Sequence, residues 1–253
     1  MKIDIYYCGM IKFEVVLSPA LLDLYDLNNK NVVVVDILRA TSTIVTALAN
    51  GVASIRPCMN PKETLQFKNM GYITAGETNG EKIEGFDIGN SPFECMNIDF
   101  KGKNIALTTT NGTKCFLAAQ AAGAEKIFAG SFLNLKSMSD FLVADAKDVL
   151  VICAGWKNKI NLEDSLFSGA LLNEMMRAVE IKINCDSSIM MLGLYLNNKN
   201  EMINLLKKSS HYHRLSHLSH EEDMVYCLNQ SIIEGVFEFK GNEIKEFSKK
   251  NEK

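Results

Sequence analysis

Four stretches of this 253-residue chain set acidic, basic or hydroxyl side chains beside glycine in patterns that could do chemistry. In VVVVDILRATST, Asp36 ends an apolar run, and Arg39, Thr41, Ser42 and Thr43 lead into a helical stretch. A carboxylate suits a hard cation, a guanidinium grips an oxyanion through two parallel hydrogen bonds, and the N–H groups at a helix start attract anions. These are the ingredients of a phosphate site; a capped helix beside an Asp36–Arg39 pair would use the same letters. In IALTTTNGT, Thr108, Thr109 and Thr110 precede Asn111 and Gly112, which reads either as an oxyanion cradle or as a second capped turn. In VLVICAGWKNKINLEDSL, an apolar strand runs into Gly155, Trp156 and Lys157, and Glu163 and Asp164 open a long helix, where acids also serve as ordinary complements of the helix dipole. The fourth stretch, AGETNGEKIEGFDIGNSP, reads as a surface loop of about 15 residues, long enough to be functional. Glu77, Glu81, Glu84 and Asp87 offer hard oxygen ligands there, and Gly85, Gly89 and Asn90 suggest fixed turns. Four such constellations are more than capping requires.

Other signatures are missing. No cysteine is followed six residues later by arginine, and Leu38 stands where a paired-aspartate phosphatase needs its second carboxylate. Neither the Walker phosphate loop nor the glycine-rich dinucleotide fingerprint occurs. His211, His213, His217 and His220 fall within one short polar segment, which reads as an exposed connection rather than a metal site. Cys153, at a strand end, leaves a thiol enzyme as a lesser alternative.

Positioning these groups falls to β-branched runs that alternate with Ala- and Leu-rich stretches, the pattern of an α/β protein. Strands are expected at 3–7, 32–36, 54–57, 72–75, 104–109, 126–129 and 148–153, with helices at 42–50, 61–70, 113–122 and 135–146. From Leu162 on, helices at 162–181, 187–196, 201–209 and 221–228, then a strand at 235–239, form a helical C-terminal cover. The expected fold is a mostly parallel or mixed sheet in α/β/α layers with repeated β-α-β units. One domain over 1–239, as a single body or two close lobes dividing near 100–150, would be followed by a charged, solvated tail at 240–253. An internal echo supports the repeat: at an offset of 72 residues Arg39 falls on Asn111, Thr41 on Thr113, Gly51 on Gly123 and Ile55 on Ile127.

Composition narrows the partners. With 27 Lys+Arg against 30 Asp+Glu, a net charge of -3 and 47% hydrophobic residues, the chain lacks the basic excess of a nucleic-acid binder. No apolar stretch approaches the ~18–20 residues that span a bilayer, and Asp4 interrupts what would be a signal sequence, so no membrane is expected and the location expected is cytoplasmic. The seven cysteines, odd in number and never in a CxxC pair, indicate neither disulfides nor zinc. The amphipathic helices after Leu162 are compatible with a homodimer.

Taken in order, DILRATST, GE followed by EKIEGFDIGNSP, TTTNGT, CAGW with NLEDSL, and EEDMVYC resemble the 2-phosphosulfolactate phosphatase family, the ComB proteins of coenzyme M biosynthesis, over residues 32–227. The resemblance implies that family's own α/β fold and a Mg2+-dependent hydrolysis of (2R)-2-O-phospho-3-sulfolactate, a small anionic phosphate ester. Carried onto this sequence, it makes Asp36, Glu77, Glu163 and Asp164 the candidates around Mg2+, with Asp36, Arg39 and Glu163 as catalytic groups. Arg39, Thr41, Ser42, Thr43, Thr110, Asn111, Gly112 and Thr113 would hold the phosphate, and Asn90, Ser91, Trp156 and Lys157 the sulfonate and carboxylate. The His-rich segment departs from the family pattern, which bears only on the outer cover. A non-catalytic binder of a phosphorylated or sulfonated metabolite would use the same turns.

Overall fold

The computed structural model of the chain describes residues 10–215 and 221–248. Its strands are β1 (Ile11–Val16), β2 (Asn31–Val35), β3 (Ser54–Pro57), β4 (Ile73–Thr78), β5 (Glu81–Lys82), β6 (Asn104–Thr108), β7 (Lys126–Gly130), β8 (Val149–Cys153), β9 (Ile181–Lys182), β10 (Phe237–Lys240) and β11 (Glu243–Glu246). The α-helices are α1 (Ala40–Ala49), α2 (Pro61–Lys68), α3 (Gly112–Ala121), α4 (Leu135–Asp145), α5 (Leu162–Met176), α6 (Asp186–Asn198), α7 (Met202–Leu206), α8 (Ser210–Leu215) and α9 (Glu221–Cys227).

All five residues of β2 are buried, because both faces of this strand are covered. Val32 and Val34 enter a core with Ile44 of α1 and Phe116 of α3, while Val33 and Val35 enter another with Phe141 of α4 and Phe167 of α5. That is the α/β/α layering expected from the alternation of elements.

The eleven strands form one mixed sheet in the order β5-β4-β6-β3-β11-β10-β7-β2-β8-β1-β9. Strands β7, β2, β8 and β1 run parallel to one another, as do β3, β6 and β4. Between these halves lies the β10–β11 hairpin, antiparallel to β7 on one side and to β3 on the other. Three reversals of direction separate the halves, so they run in opposite senses. The echo in the sequence is thereby given a shape. Unit β2-α1-β3 starts in one half and ends in the other, unit β6-α3-β7 makes the opposite crossing, and β3, β6 and β4 on one side of the hairpin answer β7, β2 and β8 on the other. The turns that follow β2 and β6 meet at Gly112. A Cβ there would lie 2.6 Å from Asp36 Oδ2 and 2.6 Å from the Ala40 side chain. Glycine is what lets the two helix starts approach.

The hairpin corrects the expected tail. Ile244 is fully buried opposite Ile55, and Phe247 packs edge-on against Phe128 and Phe141 at 6.0 and 5.0 Å between ring centroids. Residues up to 248 therefore belong to the folded body, because the gap between β3 and β7 needs two strands to satisfy their backbone edges. Smaller corrections follow the same sheet: the strand expected at 72–75 continues to Thr78, the helix expected at 162–181 stops at Met176, and β1, β5 and β9 are additional. The strand expected at 3–7, Cys8, His217, His220 and residues 249–253 lie outside the described residues. Among the described residues no helix is long and apolar enough to cross a membrane, and the cysteines are free thiols.

Candidate functional site

Where the two turns meet, a cleft opens that is lined by Asp36, Leu38 and Arg39 from the β2–α1 turn, Glu77 and Gly80 from the end of β4, and Asn111 from the β6–α3 turn. Asn90, Gly155, Trp156, Asn161 and His211 complete its wall. The β2–α1 turn is pinned from within: Thr41 N–H donates to Asp36 O at 2.9 Å and Asp36 N–H donates to Thr41 Oγ1 at 3.0 Å. This holds the Asp36 carboxylate toward the cleft, where no side chain or N–H of the described residues donates to it. Arg39 is ion-paired with Asp223 of α9, both nearly buried, and its Nη2 donates to Gly80 O at 3.4 Å.

Beneath the cleft lies an acidic floor. Asp164 Oδ1 accepts from Ile37 N–H at 2.9 Å, and Oδ2 accepts from Gly155 N–H at 3.0 Å and from Asn161 Nδ2 at 2.9 Å. Gly155 is at φ +59°, and a Cβ there would lie 2.2 Å from Lys159 O, so the turn that offers this N–H needs glycine. Glu77 is satisfied by Gly80 N–H at 2.7 Å, Thr110 N–H at 2.7 Å and the Thr110 hydroxyl at 3.0 Å. Glu163, fully buried, accepts from Asn161 Nδ2 at 3.1 Å and pairs through Oε1 with His211 Nδ1. Burial, and then the charges of Asp164 and Glu77, push the Asp36 carboxyl well above the usual carboxylate range. Burial and the Glu163 charge push Asp164 up to about 7, against the pull of its N–H donors.

Several expected contacts take another form. The Thr41 hydroxyl is spent on Asp36 N–H, Ser42 on Ile37 O and Ser131, and Thr43 on Asn90 O, so these three shape the turn and none lines the cleft. Thr113 does the same in the second turn, its Oγ1 accepting from Thr109 N–H at 3.2 Å, while Thr110 fixes Glu77. Ser91 donates to Asp223 at 2.6 Å and, with Asn90, borders an adjoining cleft beyond Arg39. Lys157 N–H donates to Asn111 Oδ1 at 3.1 Å, and its ammonium lies over Trp156. Glu81 and Glu84 are exposed away from the cleft, and Asp87 is a loop pin. Its carboxylate accepts from Thr74 N–H at 2.9 Å and Lys68 at 2.8 Å, which against the upward push of burial hold it down at about 2. Cys153 is fully buried against Ser168, with its thiol raised by burial, which removes the thiol-enzyme alternative.

Sequence reasoning missed His211, Arg214, Asn161 and Asp223. The His-rich segment, read there as an outer connection, contributes His211 to the cleft and Arg214 to Trp156, through the short helix α8. The available signal was the i, i+3 spacing of His211 and Arg214, which places them on one helix face.

The donor set can be tested against a hard cation. Glu163 Oε2, Asn161 Oδ1 and Asn90 Oδ1 are buried acceptors without hydrogen-bond partners, and Asp36 has no donor. Mutually repelling carboxylates with unused oxygens suit Mg2+, which takes one or two carboxylates and fills its shell with water and substrate oxygens. Among the described residues no group of three or more acid, His or Cys side chains stands at metal-ligand spacing.

Comparison with known sequences adds an independent line. The family profile described as 2-phosphosulpholactate phosphatase matches residues 16–242. A protein of Caldanaerobacter subterraneus subsp. tengcongensis named "Probable 2-phosphosulfolactate phosphatase" is 37% identical over 80% of this chain and 85% of its own length. A Thermotoga maritima protein of the same name is 37% identical over 82% of this chain and 88% of its own. One from Clostridium perfringens strain SM101, again so named, is 32% identical over 93% of this chain and 96% of its own.

Proposed function

This chain belongs to the 2-phosphosulpholactate phosphatase family, as a phosphoric monoester hydrolase, and we propose that it cleaves (2R)-2-O-phospho-3-sulfolactate to 3-sulfolactate and phosphate with Mg2+. The observation that carries the reading is the meeting of unused acid oxygens with a fixed guanidinium: Asp36 and Arg39 line one cleft, and Glu163 lies buried beneath it against His211 of the cleft wall.

Asp36 and Glu163 are the residues that would hold Mg2+, since the oxygens of Asp164 and Glu77 are taken by N–H and hydroxyl donors. Bound there, the cation supplies charge compensation for phosphoryl oxygens and a lowered pKa for water. Arg39, kept in place by Asp223 and Gly80 O, would present its positive charge to the equatorial oxygens, which carry the negative charge of the transition state. Asp36 accepts a hydrogen bond from the attacking water and orients it in line with the ester oxygen. The water oxygen bonds to phosphorus while its proton passes to Asp36, and the ester oxygen leaves with the bonding pair and takes up a proton from solvent water in the open cleft, becoming the hydroxyl of sulfolactate. The amides of Asn111 and Asn90 line the cleft as substrate contacts.

The test is phosphate release from 2-phosphosulfolactate, 2-phospholactate and 2-phosphoglycolate, with Mg2+ and with EDTA. Metal-dependent release that favours the sulfonated ester is expected. Equal turnover of all three would remove the substrate assignment, turnover in EDTA would remove the metal, and no release from any would remove the enzyme. A phospho-aspartate at Asp36 trapped by rapid quench would replace the direct attack of water.

A further inference from the structure

We infer that Arg214 takes the sulfonate end of the substrate, at the Trp156 wall of the cleft; the inference rests on the phosphatase reading above. The Arg214 guanidinium carbon lies 4.3 Å from the Trp156 ring centroid, and Lys157 Nζ lies 5.1 Å from the same ring. Trp156 lines the cleft, so one wall gathers two cations above an acidic floor. Arg214 Nη1 donates to Ser210 Oγ at 3.1 Å, while Nε and Nη2 are buried and have no hydrogen-bond partner among the described residues. Those two nitrogens form the edge that, in a guanidinium, can meet two oxygens of an oxyanion side by side. Buried donors are costly to leave unpaired, so an unpaired pair on one edge specifies a bidentate acceptor.

No other border of the cleft offers the same. Arg39 is already matched by Asp223. Beyond it, the adjoining cleft sets Glu94, Glu222 and Asp223 against Lys82 and the already paired Arg39, so acids outnumber cations there. A sulfonate is permanently ionised and presents three oxygens, and the weakly hydrated guanidinium suits it better than an ammonium does. Arg214 stands behind Trp156 and not in the cleft lining itself, so binding requires a turn about its own side-chain bonds, on the indole face, that presents the open edge to the cleft. Glu163 acts on Arg214 through its charge without a hydrogen bond. The competing role is therefore a counter-charge to the acidic floor, which would serve every substrate alike.

Arg214→Met keeps the stem on the indole and removes the edge. Because Trp156 is the chain's single tryptophan, its emission reports on this wall directly. The expected result is a saturable change in emission when wild type is titrated with 3-sulfolactate, with binding weakened at least about tenfold in Arg214→Met and partly recovered in Arg214→Lys. With circular dichroism unchanged, kcat/KM for 2-phosphosulfolactate should fall at least about tenfold further than kcat/KM for 2-phospholactate, most of it in KM. Equal losses on the two esters, unchanged affinity for 3-sulfolactate in Arg214→Met, or no binding by wild type would overturn the inference. The titration needs no turnover, so Arg214-dependent binding by a protein that releases no phosphate would count against the phosphatase reading alone.

Discussion

Two strand-to-helix turns, 72 residues apart in sequence and facing each other in space, share one frame and carry different chemistry. In both, a threonine in the first helical turn is fully buried and uses its hydroxyl to hold a backbone N–H of the preceding turn: Thr41 on Asp36, Thr113 on Thr109. In both, the residue two positions before that threonine lines the cleft, Arg39 in one case and Asn111 in the other. The difference lies in charge. The β2–α1 turn presents Asp36 and Arg39, whereas the β6–α3 turn presents neutral groups and supports the first through Thr110 on Glu77 and Gly112 against Asp36. A repeated unit thus supplies a scaffold twice and a reactive site once.

Breaking the charged turn should cost most. Arg39→Ala strands the buried Asp223 carboxylate and should lower stability by about 3–5 kcal/mol, seen in chemical denaturation. Adding Asp223→Ala should recover much of the stability and none of the phosphate-ester binding, which separates the ion pair's structural part from Arg39's charge. Next is Gly112→Ala, whose new methyl would press on Asp36 and Ala40 and should cost about 1–3 kcal/mol with a concurrent loss of activity. The two threonines sharpen the comparison. Thr41→Val and Thr113→Val should each cost about 1 kcal/mol in thermal melts, but only Thr41→Val, which frees the Asp36 backbone, should also lower kcat strongly.

A graded effect of pH comes last. A carboxyl raised to about 7 in the fold keeps its proton where the unfolded chain has lost it, so its contribution to stability falls as pH rises from about 4 to about 7 and is flat above. In EDTA, the difference in melting temperature between wild type and Asp164→Asn should change in that window in the sense that wild type loses stability. A flat difference would mean that the floor is ionised without a cation.

Much of this frame could be read from the letters, because valine runs, hydroxyl-rich turns and glycines at helix ends report local rules. The acids of the floor come together as a set only through the family resemblance: by local rules Glu77 is one of four acids in a polar stretch, and Glu163 and Asp164 are ordinary complements of a helix dipole. What hid from the sequence was whatever depends on distant neighbours. FEFK-GN-EIKE holds few apolar residues, yet it alternates with period two around Gly241 and Asn242, both at positive φ, the two-residue hairpin signal. Residues 237–239 read as the end of a strand, but from Lys240 on the stretch reads as a tail because nothing local says that β3 and β7 leave a gap between them. His211 and Arg214 were hidden for the same reason: α8 lasts six residues, and only Glu163 and Trp156, far off in sequence, give its polar face a purpose.

The central claim is that the charged turn is where phosphate esters are cleaved and its neutral counterpart is support. The direct test measures kcat/KM for phosphate release from 2-phosphosulfolactate, with saturating Mg2+, in Asp36→Asn and Asn111→Ala side by side, both checked for wild-type circular dichroism. The account predicts a fall of roughly 10²–10⁴-fold in Asp36→Asn and only about tenfold in Asn111→Ala. Asp36→Asn activity within tenfold of wild type, or no lower than that of Asn111→Ala, would contradict it.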